Sequence, residues 1–136
     1  VNLAREAGRK IHTLHITTEE ELKFLKDNKD VARVEILPQH MFFSAPECYE
    51  QLGSLAQMNP PIRDQRHQQA IKKALQDGVV DVVASDHAPH TLEEKQKPSF
   101  FKARLTPARS CNQICLSNIY LGKSKFYPYL AIQKVV

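Results

Sequence analysis

The sequence predicts an α/β fold with parallel strands, and three observations predict it. Short apolar runs of strand length fall at residues 10–16, 31–37 and 79–84. Helix-period segments separate them, and Gly8, Pro38 and Gly78 punctuate the boundaries. Strands that alternate with helices pair in parallel through crossovers. Three such strands would leave two open edges, so the unit reads as part of a larger barrel or sheet.

Each element has a local reason. Residues 1–8 read as the end of a helix, with Gly8 as its terminator. KIHTLHI follows as a buried strand. Thr18 is a good N-cap for EEELKFLKDN, and Glu21 three residues on completes a capping box. Leu22 and Leu25 mark the buried face of that helix, with Phe24 beside it. Acidic residues at its start and lysines near its end suit the helix dipole. VARVEIL is the second strand, ended by Pro38, and a long loop is expected over the next 25 or so residues. DQRHQQAIKKALQD is a helix with Ala70, Ile71, Ala74 and Leu75 facing inward. Gly78 stops it, VVDVVA is the third strand, and the polar run SDHAPHTLEEK comes next.

Composition is that of a globular chain up to a break near residue 96. The chain has 136 residues, 42% hydrophobic and 25% charged, which suits one domain. No run approaches the roughly 20 apolar residues of a membrane span, and VNLAREAGRK lacks a signal-peptide pattern. The absence of an initiator Met suggests a piece of something longer. Cys48, Cys111 and Cys115 are odd in number and irregular in spacing, which argues against a disulfide framework and for a reducing cytoplasm. All 15 acidic residues lie at or before Glu94, while eight of the 19 basic ones lie from Lys95 onward. The same segment holds Phe100, Phe101, Tyr120, Phe126, Tyr127 and Tyr129. Three readings compete for this tail: a basic arm for anions, a lysine-rich surface, or aberrant sequence. Its aromatics are not interleaved with basic residues in an RNA-binding pattern, so no nucleic-acid partner is expected.

In parallel α/β folds the chemistry gathers at the C-terminal ends of the strands. Here the first strand ends at His15, the second runs into Gln39 and His40, and the third ends at Asp86, with His87 and His90 close behind. Strand alternation would put His12 and His15 on opposite faces, which makes His15 the better ligand candidate. An imidazole there suits zinc or a similar metal; a core histidine with a satisfied hydrogen bond is the alternative. Asp86 could ligate a metal and take a proton from its water, or could simply be a turn aspartate. Asn59, stiffened by Pro60 and Pro61, could offer its amide to a cyclic amide or carboxylate, or be a plain turn residue. His67 is expected to be solvated on a helix surface, and His87 and His40 receive no role.

ASDHAPHTLEEK, from Ala84 to Lys95, resembles the dihydroorotase motif: a small residue, Ser or Thr, Asp, any residue, Ala-Pro-His, four free positions and Lys. Asp86, Ala88, Pro89, His90 and Lys95 match every fixed position, and LHITT, VEILPQH and AQMNPPIRD follow the family's order. The resemblance covers residues 1–97 and leaves 98–136 as a divergent tail. It implies strands six to eight of a (β/α)8 TIM-type barrel in the amidohydrolase superfamily. It also implies zinc at His15 and Asp86, Asp86 as general acid/base, and Asn59 and His90 as substrate-binding residues. The implied reaction interconverts N-carbamoyl-L-aspartate and dihydroorotate in pyrimidine synthesis. The implied partner is that small-molecule substrate, with a homo-oligomer or a pathway enzyme as further possibilities. The family's paired histidines of strand one, its strand-four bridging residue and its strand-five histidine are absent, so the isolated chain is expected to be inactive. A non-catalytic subunit and an allantoinase- or dihydropyrimidinase-type hydrolase are the competing functions, and the Ala-Pro-His element favours dihydroorotase.

Overall fold

The structure is a computed structural model that describes residues 1–86 and Thr91. His87, His90, Lys95 and the 98–136 tail lie outside the described residues. The elements run α1 (Asn2–Glu6), β1 (Ile11–Thr13), α2 (Glu19–Lys26), β2 (Ala32–Ile36), α3 (Pro38–Phe42), α4 (Glu47–Leu52), a 3-10 turn (Gly53–Ala56), α5 (Gln65–Gln76) and β3 (Val82–Val83). The three strands form a parallel sheet in the order β1-β2-β3, with Ile11 opposite Ala32 and Ile36 opposite Val83.

One face of the sheet carries the main core. Ala32, Val34 and Ile36 of β2 pack with Leu22 and Leu25 of α2 and with Ile71 and Ala74 of α5. Phe24 stays exposed on α2. The capping box of α2 is complete: Glu21 N–H donates to Thr18 Oγ1 at 3.2 Å, and Thr18 N–H donates to Glu21 Oε2 at 3.0 Å. Thr18→Ala is expected to lower stability by about 1 kcal/mol. Urea unfolding checks this, with Thr18→Ser close to the parent protein.

The strands are shorter than their apolar runs. β1 stops at Thr13 because the chain bends at His15, whose φ is 37°. The run 79–84 contributes only Val82–Val83 to the ladder; ahead of it the Asp81 N–H still donates to the Val34 carbonyl at 2.9 Å, but the return bond is made by a side chain. Asp81 Oδ2 accepts the Val34 N–H at 2.7 Å and pairs with Lys29, whose ammonium also donates to the Val79 carbonyl at 2.9 Å.

Two expectations are corrected. The loop after Pro38 is folded: Pro38 ends β2 but begins α3, where a fixed φ and a missing N–H suit the first turn. α4 and the 3-10 turn follow, held by a second apolar cluster of Leu37, Cys48, Ala56, Met58 and Ile62. His67 is not a solvated surface residue either. Its side chain is 12% exposed, and its Nδ1 accepts the Glu19 N–H at 3.0 Å, tying α5 to the first turn of α2. That amide has no partner within its own helix, so a histidine from a neighbouring helix supplies one.

Candidate metal and substrate site

The site is built at the C-terminal ends of the strands, where β1, β2 and β3 hand over to their connections. Among the described residues, His15 and Asp86 alone combine a side chain with a left-handed backbone, at φ 37° and 45°. A non-glycine residue in that region is uncommon, and such conformations gather at functional sites when the surroundings hold them. Both are held. His15 N–H reaches Glu35 Oε1 at 3.4 Å, and the next amide, Ile16 N–H, donates to the Glu35 carbonyl at 2.8 Å. Before Asp86, Ala84 N–H donates to the Ile36 carbonyl at 3.0 Å, and Gln39 Nε2 donates to the Ser85 carbonyl at 3.5 Å. β1 and β3 flank β2 in parallel, so the two residues emerge at the same end of the sheet, one on either side of it.

His40 lies between them on α3 and is 2% exposed. Burial pushes its pKa below the ordinary 6.5; the Pro60 carbonyl acts in the opposite direction, the charge of His15 lowers it further and that of Asp86 raises it. His40 therefore sits within electrostatic reach of both sequence-predicted ligands. Its Nε2 is 3.1 Å from the Pro60 carbonyl, and its Nδ1 has no hydrogen-bond partner among the described residues. A histidine with a depressed pKa stays neutral in the fold while the unfolded chain takes up the proton. Stability is thus fully present above about pH 6.5 and is lost as the pH falls below it, by at most about 1.4 kcal/mol per pH unit. The stability gap between the parent protein and His40→Gln is expected to narrow from pH 7.5 to pH 5.5, as read by urea unfolding at each pH.

Asn59 is exposed on a loop clamped at both ends by buried Met58 and Ile62. Tyr49 grips the far end: its hydroxyl accepts the Ile62 N–H at 2.8 Å and donates to the Ile62 carbonyl at 3.4 Å. Ala45 N–H donates to the Arg63 carbonyl at 2.8 Å. Together with the His40 contact to Pro60, these bonds present the Asn59 amide from a fixed backbone.

The structure thus brings His15, His40 and Asp86 to one end of the sheet, with Asn59 linked to them through Pro60 and His40. His90 lies outside the described residues. Sequence reasoning passed over two residues, Glu35 and His40. The signal for Glu35 was an acid inside an apolar strand; for His40 it was a histidine directly after a strand end. Imidazole and carboxylate are both zinc donors, so His15 and Asp86 fit part of a metal centre. Among the described residues no group of three His, Cys, Asp or Glu side chains converges, whereas a catalytic zinc site commonly takes three protein ligands and a water.

No family model matches the chain. It is 38% identical over 100 residues to the dihydroorotase of Bacillus licheniformis, a match covering 71% of this chain and 23% of that protein. It is likewise 38% identical over 106 residues to the dihydroorotase of Enterococcus faecalis, covering 76% and 24%. The chain is a homologue of the dihydroorotases. It spans about a quarter of the length of these relatives. Among solved structures it resembles the L-hydantoinase (dihydropyrimidinase) from Arthrobacter aurescens, with a TM-score of 0.77 at 21% identity over 90% of this chain and 28% of that one. The D-hydantoinase (dihydropyrimidinase) from Thermus sp. gives 0.77 at 21% identity over 93% and 29%. At that identity the likeness shows the fold, and the parallel α/β arrangement of this dihydroorotase homologue is the one they share. No helix among the described residues is long and apolar enough to cross a membrane.

Proposed function

We propose that residues 1–97 supply strands six to eight of the (β/α)8 barrel of a cytoplasmic, zinc-dependent dihydroorotase. The reaction interconverts N-carbamoyl-L-aspartate and dihydroorotate in pyrimidine synthesis. One observation carries the reading: the two residues with left-handed backbone and functional side chains, His15 and Asp86, stand at the same end of the sheet on strands flanking β2.

Zinc, held by His15, Asp86 and donors beyond the described residues, would polarise the ring carbonyl and acidify a water. Asp86 takes the proton of the attacking water and returns it to the ring nitrogen as the C–N bond breaks. Asn59 offers an amide donor and acceptor to the ring or carboxylate of the substrate, and His90 takes a second polar group. Among the described residues His15 and Asp86 are two donors where three are needed, so the 136-residue chain alone is expected to bind zinc weakly and not to turn over substrate. Residues 98–136 are basic and rich in aromatics in sequence, and the proposal gives them no part in this reaction.

A hydantoinase-type specificity is the second reading, because the hydantoinases share this fold. A chimera separates the two: residues 1–97 replace the segment they match in the Bacillus licheniformis dihydroorotase. Zinc content and hydrolysis of dihydroorotate, dihydrouracil and hydantoin are measured. Stoichiometric zinc with dihydroorotate hydrolysis is the expected result. Hydrolysis of only the other two rings moves the assignment to the hydantoinases, and a folded, zinc-loaded chimera inert on all three supports a non-catalytic subunit.

A further inference from the structure

The geometry points to Glu35 as the positioning residue that bends the chain at His15 and so aims the His15 imidazole; this rests on the reading of His15 as a metal donor. Glu35 is 8% exposed, an acid on the central strand of an apolar sheet. A carboxylate in such a place is costly unless its oxygens are engaged. Both oxygens turn toward β1. Oε2 lies 2.7 Å from His12 Nε2, and Oε1 accepts the His15 N–H at 3.4 Å. The Glu35 carbonyl takes the Ile16 N–H at 2.8 Å. One residue thus binds the segment 12–16 at three points, spanning the position where the backbone becomes left-handed.

The consequence concerns direction. β1 ends at Thr13, so strand alternation no longer fixes where His15 points. What fixes it is the bend, and the bend is held from β2. His12, at the same carboxylate, keeps the side chain of Glu35 turned toward β1. Without the carboxylate, the His15 N–H loses its acceptor, and of the three ties only the Ile16 N–H bond to the Glu35 carbonyl is left to oppose relaxation of the strained φ. Partners that orient metal ligands commonly carry a 10- to 100-fold share of metal affinity.

The test reads amide exchange in the complete 136-residue chain and, with cobalt(II) as the probe, metal binding in the chimera that supplies further donors. Glu35→Met keeps volume and removes both acceptor oxygens; Glu35→Gln keeps one acceptor. Amide hydrogen exchange is read at His15, with Leu22 and Ile71 reporting on the core. Paramagnetic broadening by cobalt is read at His15 and Asp86. In Glu35→Met, His15 protection is expected to fall about tenfold. Cobalt affinity read at the His15 ring is expected to fall about 10- to 100-fold. Leu22 and Ile71 stay protected, and Glu35→Gln restores His15 protection.

His15 protection and broadening unchanged in a folded Glu35→Met chain overturn the proposal. Should Glu35→Met fail to fold, Glu35→Gln decides, because loss of His15 protection there with the core intact also overturns it. Absence of cobalt broadening at His15 and Asp86 in the chimera with Glu35 intact sinks the metal-site reading instead, while the amide exchange still judges whether Glu35 holds the bend.

Discussion

Asp86→Asn in the chimera is expected to lower dihydroorotate hydrolysis by about 10²- to 10⁴-fold, the range a positioned proton-transfer group contributes. The substitution is chosen for its backbone. Asp86 has φ 45°, a conformation that asparagine adopts as readily as aspartate. The bend at the end of β3 therefore survives, and with it the Ala84 N–H bond to the Ile36 carbonyl. What disappears is the anionic oxygen that the proposed reaction uses to accept a proton and to ligate a metal. Asp86→Ala would remove the carboxylate but also disfavour the left-handed backbone, mixing two causes. A loss of less than tenfold in Asp86→Asn, with zinc content unchanged, would take the proton-transfer role away from this residue.

Ile36→Ala is expected to remove about 2–5 kcal/mol of stability, toward the upper end of that range. Ile36 is fully buried in the middle strand, in the same core cluster as Leu22 and Leu25 of α2 and Ile71 and Ala74 of α5. A void there is bounded on one side by the sheet ladder, which cannot collapse into it without breaking the pairing of Ile36 with Val83. Domain stabilities run at only about 5–15 kcal/mol, so this one substitution consumes a large fraction. Ile36→Val, which removes a single methyl, is expected to cost about 0.5–1.5 kcal/mol. Urea unfolding of both variants checks the ratio. Equal losses would mean that the cavity is filled by rearrangement of the helices.

Local chemistry made much of the fold legible. Thr18 and Glu21 announce the start of α2, Asp64 caps α5 by accepting the Arg66 and His67 N–H groups, and Gly78 follows α5 with φ 72°. The faces of these helices were equally readable, because Leu22, Leu25, Ile71 and Ala74 recur at helical spacing and are buried. The segment after Pro38 was not readable. α3 and α4 have 5 and 6 residues, too short to be stable on propensity alone. α3 is held by Met41 in the main core and α4 by Cys48 in the cluster with Leu37, Met58 and Ile62, contacts that form only in the folded chain.

The site divides along the same line. Side-chain chemistry and position at a strand end single out His15 and Asp86 as candidates, and the two prolines that follow it single out Asn59. Alternation along β1 was the wrong basis for the direction of His15, because the strand ends two residues before it. His67 looked solvated for a similar reason: its helical position says nothing of the Glu19 amide that another helix brings to it.

By itself the sequence determined the alternation of strand and helix, the caps and the residues able to do chemistry, because each depends on neighbours within a few positions. Only the tertiary structure decided that Glu35 holds the bend at His15, that His40 supports the Asn59 loop, and that the ends of β1 and β3 stand either side of β2. Those are contacts between residues 20 or more apart in the chain, and their partners are set by packing, which no local pattern encodes.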